Sequence, residues 1–285
     1  MTFGILGNIR KERVRELVPQ LIQWLQAKKI EFIVDRELYE YLGVRDTEIR
    51  RMRLQEIGQS TEIIIAFGGD GTILSTARII GHYGVPILGV NLGRLGFLAE
   101  ISPEELFQRV EEILNHEYSI IGRSVLEASV DGEKIDEKIY GLNDIVVDKG
   151  NFSRLITIDV FINDEYLNTY RCDGVIISSP TGSTAYSLSA GGPIIENSVK
   201  AMIINPICPH SLGARPIVVS DDKQVKIVAH ADSQAIMLSA DGQFSRQLAS
   251  GDAITVRKAD YSVNWVQCRS KSFYDVLRTK LNWGD

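Results

Sequence analysis

Residues 62–75 read "EIIIAFGGDGTILS". A short apolar run ends at two glycines. An aspartate and a third glycine follow, and Thr72 opens a second apolar segment. The run 62–67 reads as a buried strand of a parallel sheet. Ile73, Leu74, Ala77 and Ile80 recur at helical spacing, so a helix should follow and end near Gly81 or Gly84. A glycine loop between such a strand and helix is where open α/β sheets bind ligands, phosphates above all. Gly68 and Gly69 allow backbone angles closed to other residues and let a ligand approach the main chain. Thr72 suits the N-cap of the helix. A carboxylate in this loop should repel phosphate. Asp70 is therefore either an ordinary turn former or has a task other than holding phosphate.

Alternation continues on both sides. Residues 3–7, "FGILG", read as a strand. Val14, Leu17, Val18, Leu21, Ile22 and Leu25 follow the i, i+3, i+4, i+7 spacing of a helix with one apolar face. Pro19 lies inside that pattern and should kink it or mark a first turn. "EFIVD" (31–35) and "VPILGVN" (85–91) read as strands, and the charged stretch 45–58 as a solvated helix or loop. "SPEELFQRVEEIL" (102–114) reads as a helix with Ser102 as N-cap, Pro103 in the first turn and Glu105 at the capping-box position. This alternation predicts an α/β N-terminal domain, residues 1–118, on a largely parallel sheet.

From residue 119 the texture changes. Ile156, Ile158, Val160 and Ile162 alternate at period two, and Asn163-Asp164 suits a hairpin turn. "EYLNTYRCDGVIIS" (165–178) resumes extended chain, and 217–230 and 252–268 also read as strands. Residues 119–270 thus predict a β-rich C-terminal domain. "SFYDVLRTKLNW" (272–283) turns helical again, so segment 271–285 is expected to pack back on the first domain.

The chain has 285 residues and a formal net charge of −6, which argues against a dedicated nucleic-acid binder. Cys172, Cys208 and Cys268 are far apart and form no CxxC or Cys/His metal spacing, as expected of reduced thiols. The apolar stretch at the N-terminus is too short for a signal peptide. No run approaches the roughly 18 apolar residues of a membrane span. These features predict a soluble cytoplasmic protein with neither a membrane nor a nucleic-acid partner.

Three further stretches could carry chemistry. In "GVNLGRLGFLAE" (89–100), Gly93 and Gly96 flank a second loop after a strand, beside Phe97. It reads as a binding loop or as a tight turn whose Leu and Phe fill the core. In "LNDIVVDKG" (142–150), Asn143 and Asp144 set an amide beside a carboxylate, a pairing that can hold a sugar diol or simply form an Asx turn. The richest stretch is "RCDGVIISSPTGSTAYSLSAGGPII" (171–195). Thr181, Ser183, Thr184 and Ser187 can donate to phosphate, ribose or an adenine edge, and Tyr186 can stack on a ring. Gly191-Gly192-Pro193 reads as a tight turn. No Walker A pattern is present. His210 in "PICPHSLGARP" reads as structural, and "DGQ" (241–243) as a turn. Arg154 and Arg171 pair locally or reach a phosphate.

In this order, "GGDGT", Asn143-Asp144, "DG…SSPTGSTAYSLSAGGP" and "PICPHSL…RP" closely resemble the NAD kinase family. The resemblance covers nearly the whole chain, including "FYDVLRTKLNW" at its end. "GGDGT" is shared with diacylglycerol-type lipid kinases, and a related form with 6-phosphofructokinases. The long "SPTGSTAYSLSAGGP" stretch is far more specific. The resemblance implies that ATP phosphorylates the adenosine 2′-hydroxyl of NAD to give NADP, with Mg²⁺ carried by the nucleotide and no protein metal ligand assigned. It also implies an α/β N-terminal domain, a β-sandwich-like C-terminal domain, and homo-oligomers (dimer or tetramer) built through the latter.

By position, Asp70 matches the family's proton acceptor, Gly71 its contact neighbour, and Phe97 the loop near the adenine. Asn143 and Asp144 match the pair that holds NAD. Arg154, Arg171, Asp173, Thr181, Thr184, Ala185, Tyr186, Ser187, Leu188, Ser189 and Gln243 match further dinucleotide contacts. Gly68, Gly69, Gly71 and Thr72 match the donor-phosphate loop. The pair is often Asn-Glu in this family, and Asp144 is one methylene shorter.

On this reading the glycines of the "GGDGT" loop face the donor phosphates and Asp70 faces the acceptor hydroxyl. Two rivals use the same residues. A soluble lipid kinase would leave stretch 171–195 without a task. A non-catalytic NAD(P)-binding sensor would leave Asp70 without one.

Overall fold

The computed structural model describes residues 1–93, 96–99, 101–131, 138–232, 235–267 and 272–283. Cys268 and residues 271, 284 and 285 of the C-terminal segment lie outside them, as do residues 94, 95 and 100 of the second glycine loop. The chain forms two units, Met1–Gly122 with Ser262–Asp285, and Arg123–Tyr261.

The first unit begins with β1 (Thr2–Gly7), α1 (Arg13–Ala27), β2 (Glu31–Asp35), α2 (Arg36–Leu42), β3 (Arg51–Met52) and α3 (Leu54–Ser60). It continues with β4 (Ile63–Gly68), α4 (Asp70–Ile80), β5 (Ile87–Asn91) and α5 (Leu106–Leu114). The strand order is β3-β2-β1-β4-β5 and every pair is parallel. Trp265 pairs beyond β5, parallel to Ile87. The order reverses between β1 and β4, where doubly wound sheets open a crevice at the carboxyl ends of their strands.

Helices cover both faces of this sheet. Val14, Leu17, Val18, Leu21, Ile22 and Leu25 of α1 are all buried, together with Val110 and Ile113 of α5, against Phe3, Ile5, Ile65, Phe67 and Val90. Burying each such side chain contributes about 1.5–3 kcal/mol. Pro19 removes one ladder hydrogen bond without ending α1, because the apolar residues on either side of it stay buried. On the opposite face a Cβ on Gly4 would fall 2.6 Å from Ile57 Cγ2, so only glycine lets α3 come this close.

Three local readings change. The stretch 45–58 is not wholly solvated: it contains β3 and the start of α3, and it buries Ile49 and Ile57. Helix α2 is an additional element, capped by Asp35, which accepts the Leu38 N–H at 3.1 Å. The 102–114 helix opens with a 3-10 turn over Pro103–Glu105, and Glu105 Oε2 accepts the Ser102 N–H at 3.0 Å.

The second unit is antiparallel. Its strands are β6 (Ser119–Val130), β7 (Ile139–Gly141), β8 (Asp144–Asp148), β9 (Ile156–Ile162), β10 (Glu165–Cys172), β11 (Gly174–Ser178) and β12 (Ala201–Ile207). β13 (Ile217–Ser220), β14 (Val225–His230), β15 (Ile236–Ala240), β16 (Phe244–Leu248) and β17 (Ala253–Gln267) complete it, β17 running on into the first unit. One set of strands runs β10-β9-β14-β17, and a separate sheet runs β13-β12-β11-β8-β15-β16. Ile156, Ile158, Val160 and Ile227 of the first pack with Ile145, Val147, Ile177, Ile204 and Leu238 of the second. This is a sandwich core. Stretch 165–178 is two strands, β10 and β11, one in each sheet. Asn163 (φ 48°) and Asp164 (φ 65°) form the left-handed hairpin turn between β9 and β10.

Candidate functional site

In the first unit, the loops after β1 and β4 meet at the point where strand order reverses. Asn8 donates its backbone N–H to Phe67 O at 2.8 Å and its Nδ2 to Thr72 Oγ1 at 3.2 Å. A cavity of about 400 Å³ opens there, with Asn8, Arg10, Asp35, Gly71, Thr72 and Ser75 in its walls. The N-terminus of α4 borders it, and first-turn N–H groups with the helix dipole favour an anion.

Asp70 is the first residue of α4, and its carboxylate reaches the loop after β5. Oδ2 accepts the Phe97 N–H at 3.0 Å, and Oδ1 accepts those of Leu98 and Ala99 at 3.0 and 3.2 Å. Of roughly four lone-pair positions on a carboxylate, described residues take three, which leaves one on Oδ2. The Trp265 indole N–H donates to Leu98 O at 3.2 Å, holding the same loop from its other side. Lys280, on the C-terminal helix Phe273–Leu281, lies 5.4 Å from the Phe97 ring centroid. Asp70 is thus no local turn former.

Two expectations for this loop are corrected. Thr72 is not the N-cap: the cap position is Gly69, and Thr72 sits one turn in, donating its N–H to Gly69 O at 2.9 Å. Gly68 and Gly69 do not adopt left-handed angles; Gly69 is extended at φ −111°, ψ −172°. The glycine at 68 answers to crowding, since a Cβ there would fall 2.2 Å from Thr72 Oγ1.

In the second unit, Asn143 and Asp144 precede and open β8. Their backbone is bonded on every side. Asp241 accepts the N–H groups of Leu142, Asn143 and Asp144 at 2.8, 2.7 and 3.1 Å. Ser179 Oγ donates to Leu142 O at 2.5 Å, Ser179 N and Ser178 Oγ donate to Asn143 O at 2.9 and 3.3 Å, and Asp241 N donates to Asp144 O at 3.1 Å. The Asp144 carboxyl is 4% exposed. Burial, and then the Asp241 charge, push its pKa up to about 7.

The stretch 179–192 folds as a 3-10 turn (Thr181–Thr184) and a short helix (Tyr186–Ser189). Tyr186 is exposed, and burial of its hydroxyl followed by the charges of Asp148, Cys208, Asp173 and Asp144 raises its pKa. Ser189 is exposed, and Thr184, Ala185 and Leu188 are half-buried. Thr184 Oγ1 donates to Thr181 O at 3.1 Å, and Thr181 itself is buried.

Ser183 and Ser187 depart from the expectation of hydroxyls facing a ligand. Both are fully buried: Ser183 Oγ donates to Pro180 O at 2.6 Å and accepts the Ile195 N–H at 3.0 Å, while Ser187 Oγ accepts from Asn205 Nδ2 at 3.3 Å. They hold the loop's shape. Gly191 makes the expected turn at φ 82°.

Asp173 pairs with Lys149 at 2.6 Å; Arg171 on β10 and Arg154 are exposed, and Gln243 is half-buried in the β15–β16 turn. His210 donates its backbone N–H to Arg171 O at 2.8 Å. The residues that sequence reasoning missed are Asp241, Ser178 and Ser179. "DGQ" signals a hairpin turn, and Asp241 (φ 52°) with Gly242 (φ 62°) forms one. No local pattern says that its carboxylate reaches a segment 97–99 positions away.

Family models describe both parts of the chain. Residues 3–118 match the ATP-NAD kinase N-terminal domain, and residues 142–268 the ATP-NAD kinase C-terminal domain. A curated NAD kinase from Prosthecochloris aestuarii is 42% identical over 286 aligned residues, covering 100% of this chain and 98% of that protein. The crystal structure of yeast NADH kinase complexed with NADH superposes with a TM-score of 0.89 at 28% identity, covering 100% of this chain and 88% of the other. An NAD kinase from Archaeoglobus fulgidus in complex with ATP shares the fold, with a TM-score of 0.76 at 24% identity, covering 97% of this chain and 99% of the other. Both family models and a relative aligned over the full length agree: the chain belongs to the NAD kinase family, enzymes that phosphorylate NAD with ATP.

Proposed function

We propose that the chain transfers the γ-phosphoryl group of ATP to the 2′-hydroxyl of the adenosine ribose of NAD, giving NADP and ADP, with Asp70 as the proton acceptor. The observation that carries this reading is the Asp70 carboxylate, held by the N–H groups of Phe97, Leu98 and Ala99 beside the α4 N-terminus. A base so fixed needs no reorganisation to meet an incoming hydroxyl. As the 2′-oxygen bonds to the γ-phosphorus, the bond from that phosphorus to the β,γ-bridging oxygen breaks and ADP leaves. The hydroxyl proton passes to the open position on Asp70 Oδ2.

The remaining catalysis is positioning and charge neutralisation. The α4 N-terminus and the cavity wall formed by Asn8, Arg10, Gly71 and Thr72 suit the donor phosphates. Asn143, Asp144, Tyr186, Arg154, Arg171, Asp173 and Gln243 would hold the dinucleotide. The NADH complex of the yeast relative supports an NAD-type ligand. Among the described residues no group of three or more His, Cys, Asp or Glu side chains could hold a metal ion. We propose that Mg²⁺ is carried by the phosphates of ATP, whose charge it would neutralise.

Among the described residues no helix is long and apolar enough to cross a membrane. A cytoplasmic homo-oligomer is the setting we propose. Incubation with NAD, ATP and Mg²⁺, with diacylglycerol as a competing acceptor, tests the reading. NADP formation supports it. Phosphorylated diacylglycerol without NADP favours the lipid kinase, and NAD binding without turnover favours the sensor.

A further inference from the structure

Asn143 and Asp144 are side chains on a segment with its own anchoring problem. Residues 142 and 143 connect β7 to β8, which Asp144 opens, and the three consecutive N–H groups of 142–144 point the same way. Left alone, they would need water or a ligand. One side chain takes all three. Asp241 Oδ2 accepts from Leu142, and Oδ1 accepts from Asn143 and Asp144. The Asp241 N–H returns to Asp144 O at 3.1 Å, closing a ring between the turn and the segment. Asp241 and Gly242 are two left-handed residues in the turn between paired strands β15 and β16.

We infer that Asp241 is a positioning residue for dinucleotide binding: it holds the backbone of 142–144 so that the side chains of Asn143 and Asp144 keep their polar atoms for the ligand. This rests on the proposal that those two residues hold NAD. No described residue hydrogen-bonds the side-chain amide of Asn143 or the carboxyl of Asp144, whereas their backbone groups are bonded. Opposite them, Ser178, Ser179 and Gly182 close on the Asn143 carbonyl; a Cβ on Gly182 would fall 2.0 Å from that oxygen. The segment is thus clamped between a charged acceptor on its N–H side and the serine turn on its carbonyl side. Hydrogen bonds from backbone N–H groups to an ionised carboxylate are stronger than neutral ones, so a neutral replacement loses more than geometry.

The test is Asp241→Asn and Asp241→Ala in the full-length chain, with steady-state kinetics run against NAD and ATP separately, and Asn143→Ala as a control. The expected result for both Asp241 variants is a rise in KM for NAD of tenfold or more, a KM for ATP within twofold of wild type, and faster amide exchange at 142–144. An unchanged KM for NAD beside a raised one in Asn143→Ala overturns this inference alone. Unchanged values in all three variants overturn the underlying assignment of Asn143 as well. A parallel rise in both KM values reports general loosening and also overturns the inference. Should Asp241→Ala not fold, Asp241→Asn carries the test, because its side-chain oxygen can still accept two of the three N–H groups.

Discussion

A Cβ on Gly96 would fall 1.9 Å from Asp70 Oδ1. The bare backbone at 96 is what lets the next three residues aim their N–H groups at this carboxylate. Gly96→Ala therefore must move either the loop or Asp70. We expect a fall in kcat of at least tenfold in a protein that still melts cooperatively. A kcat within twofold of wild type would show that the carboxylate position does not matter to turnover.

Asp70→Asn keeps one oxygen, enough for the Leu98 and Ala99 N–H groups, but sets an amide N–H against that of Phe97 and removes the proposed base. Loss of general-base help lowers rates by about 10²–10⁴-fold. The variant should lose kcat in that range while its Kd for NAD, measured calorimetrically, stays within a few-fold. Near-wild-type turnover would remove Asp70 from the chemistry.

The Asp144 carboxyl, held near 7 by burial and the Asp241 charge, lies above its ordinary 3.8. Between those values the folded chain keeps a proton that the unfolded chain has released. Its contribution to stability is therefore fully present below about pH 4 and is lost as pH rises toward 7, at a cost on the order of 4 kcal/mol. Asp144→Asn abolishes this titration. Relative to wild type, the variant's Tm should rise between pH 5 and pH 8 in thermal melts. A difference that is flat, or falls, contradicts the assignment.

Gly182→Ala drives a methyl group into the Asn143 carbonyl, which is backbone on both sides and has little room to yield. Overpacking of this kind costs about 1–3 kcal/mol. Urea titration should show the loss, and NAD affinity should fall with it, because Asn143 is the residue displaced. Unchanged stability would mean that the 179–182 turn can shift freely.

Much of the architecture was legible because burial repeats at the period of the secondary structure. The six apolar positions read for α1 are the six that are buried, and Ile156, Ile158 and Val160 alternate inward on β9. The misread places have weak or mixed signals. Charged residues around Ile49 and Ile57 hid a partly buried segment, and the first turn of α4 carried a threonine that looked like a cap. Hydroxyls in stretch 179–187 looked alike in sequence, yet Ser183 and Ser187 face the interior while Ser189 is exposed.

The fold class, the strand–loop–helix setting of Asp70 and the family resemblance are all legible along the chain, because each depends on local periodicity or on a contiguous motif. What the carboxylates bind depends on contacts between distant segments. Asp70 accepts N–H groups 27–29 positions onward, and Asp241 accepts N–H groups 97–99 positions back. Such bonds form because folding brings unpaired backbone donors of one loop against an anion on another. No local spacing along the chain encodes that meeting.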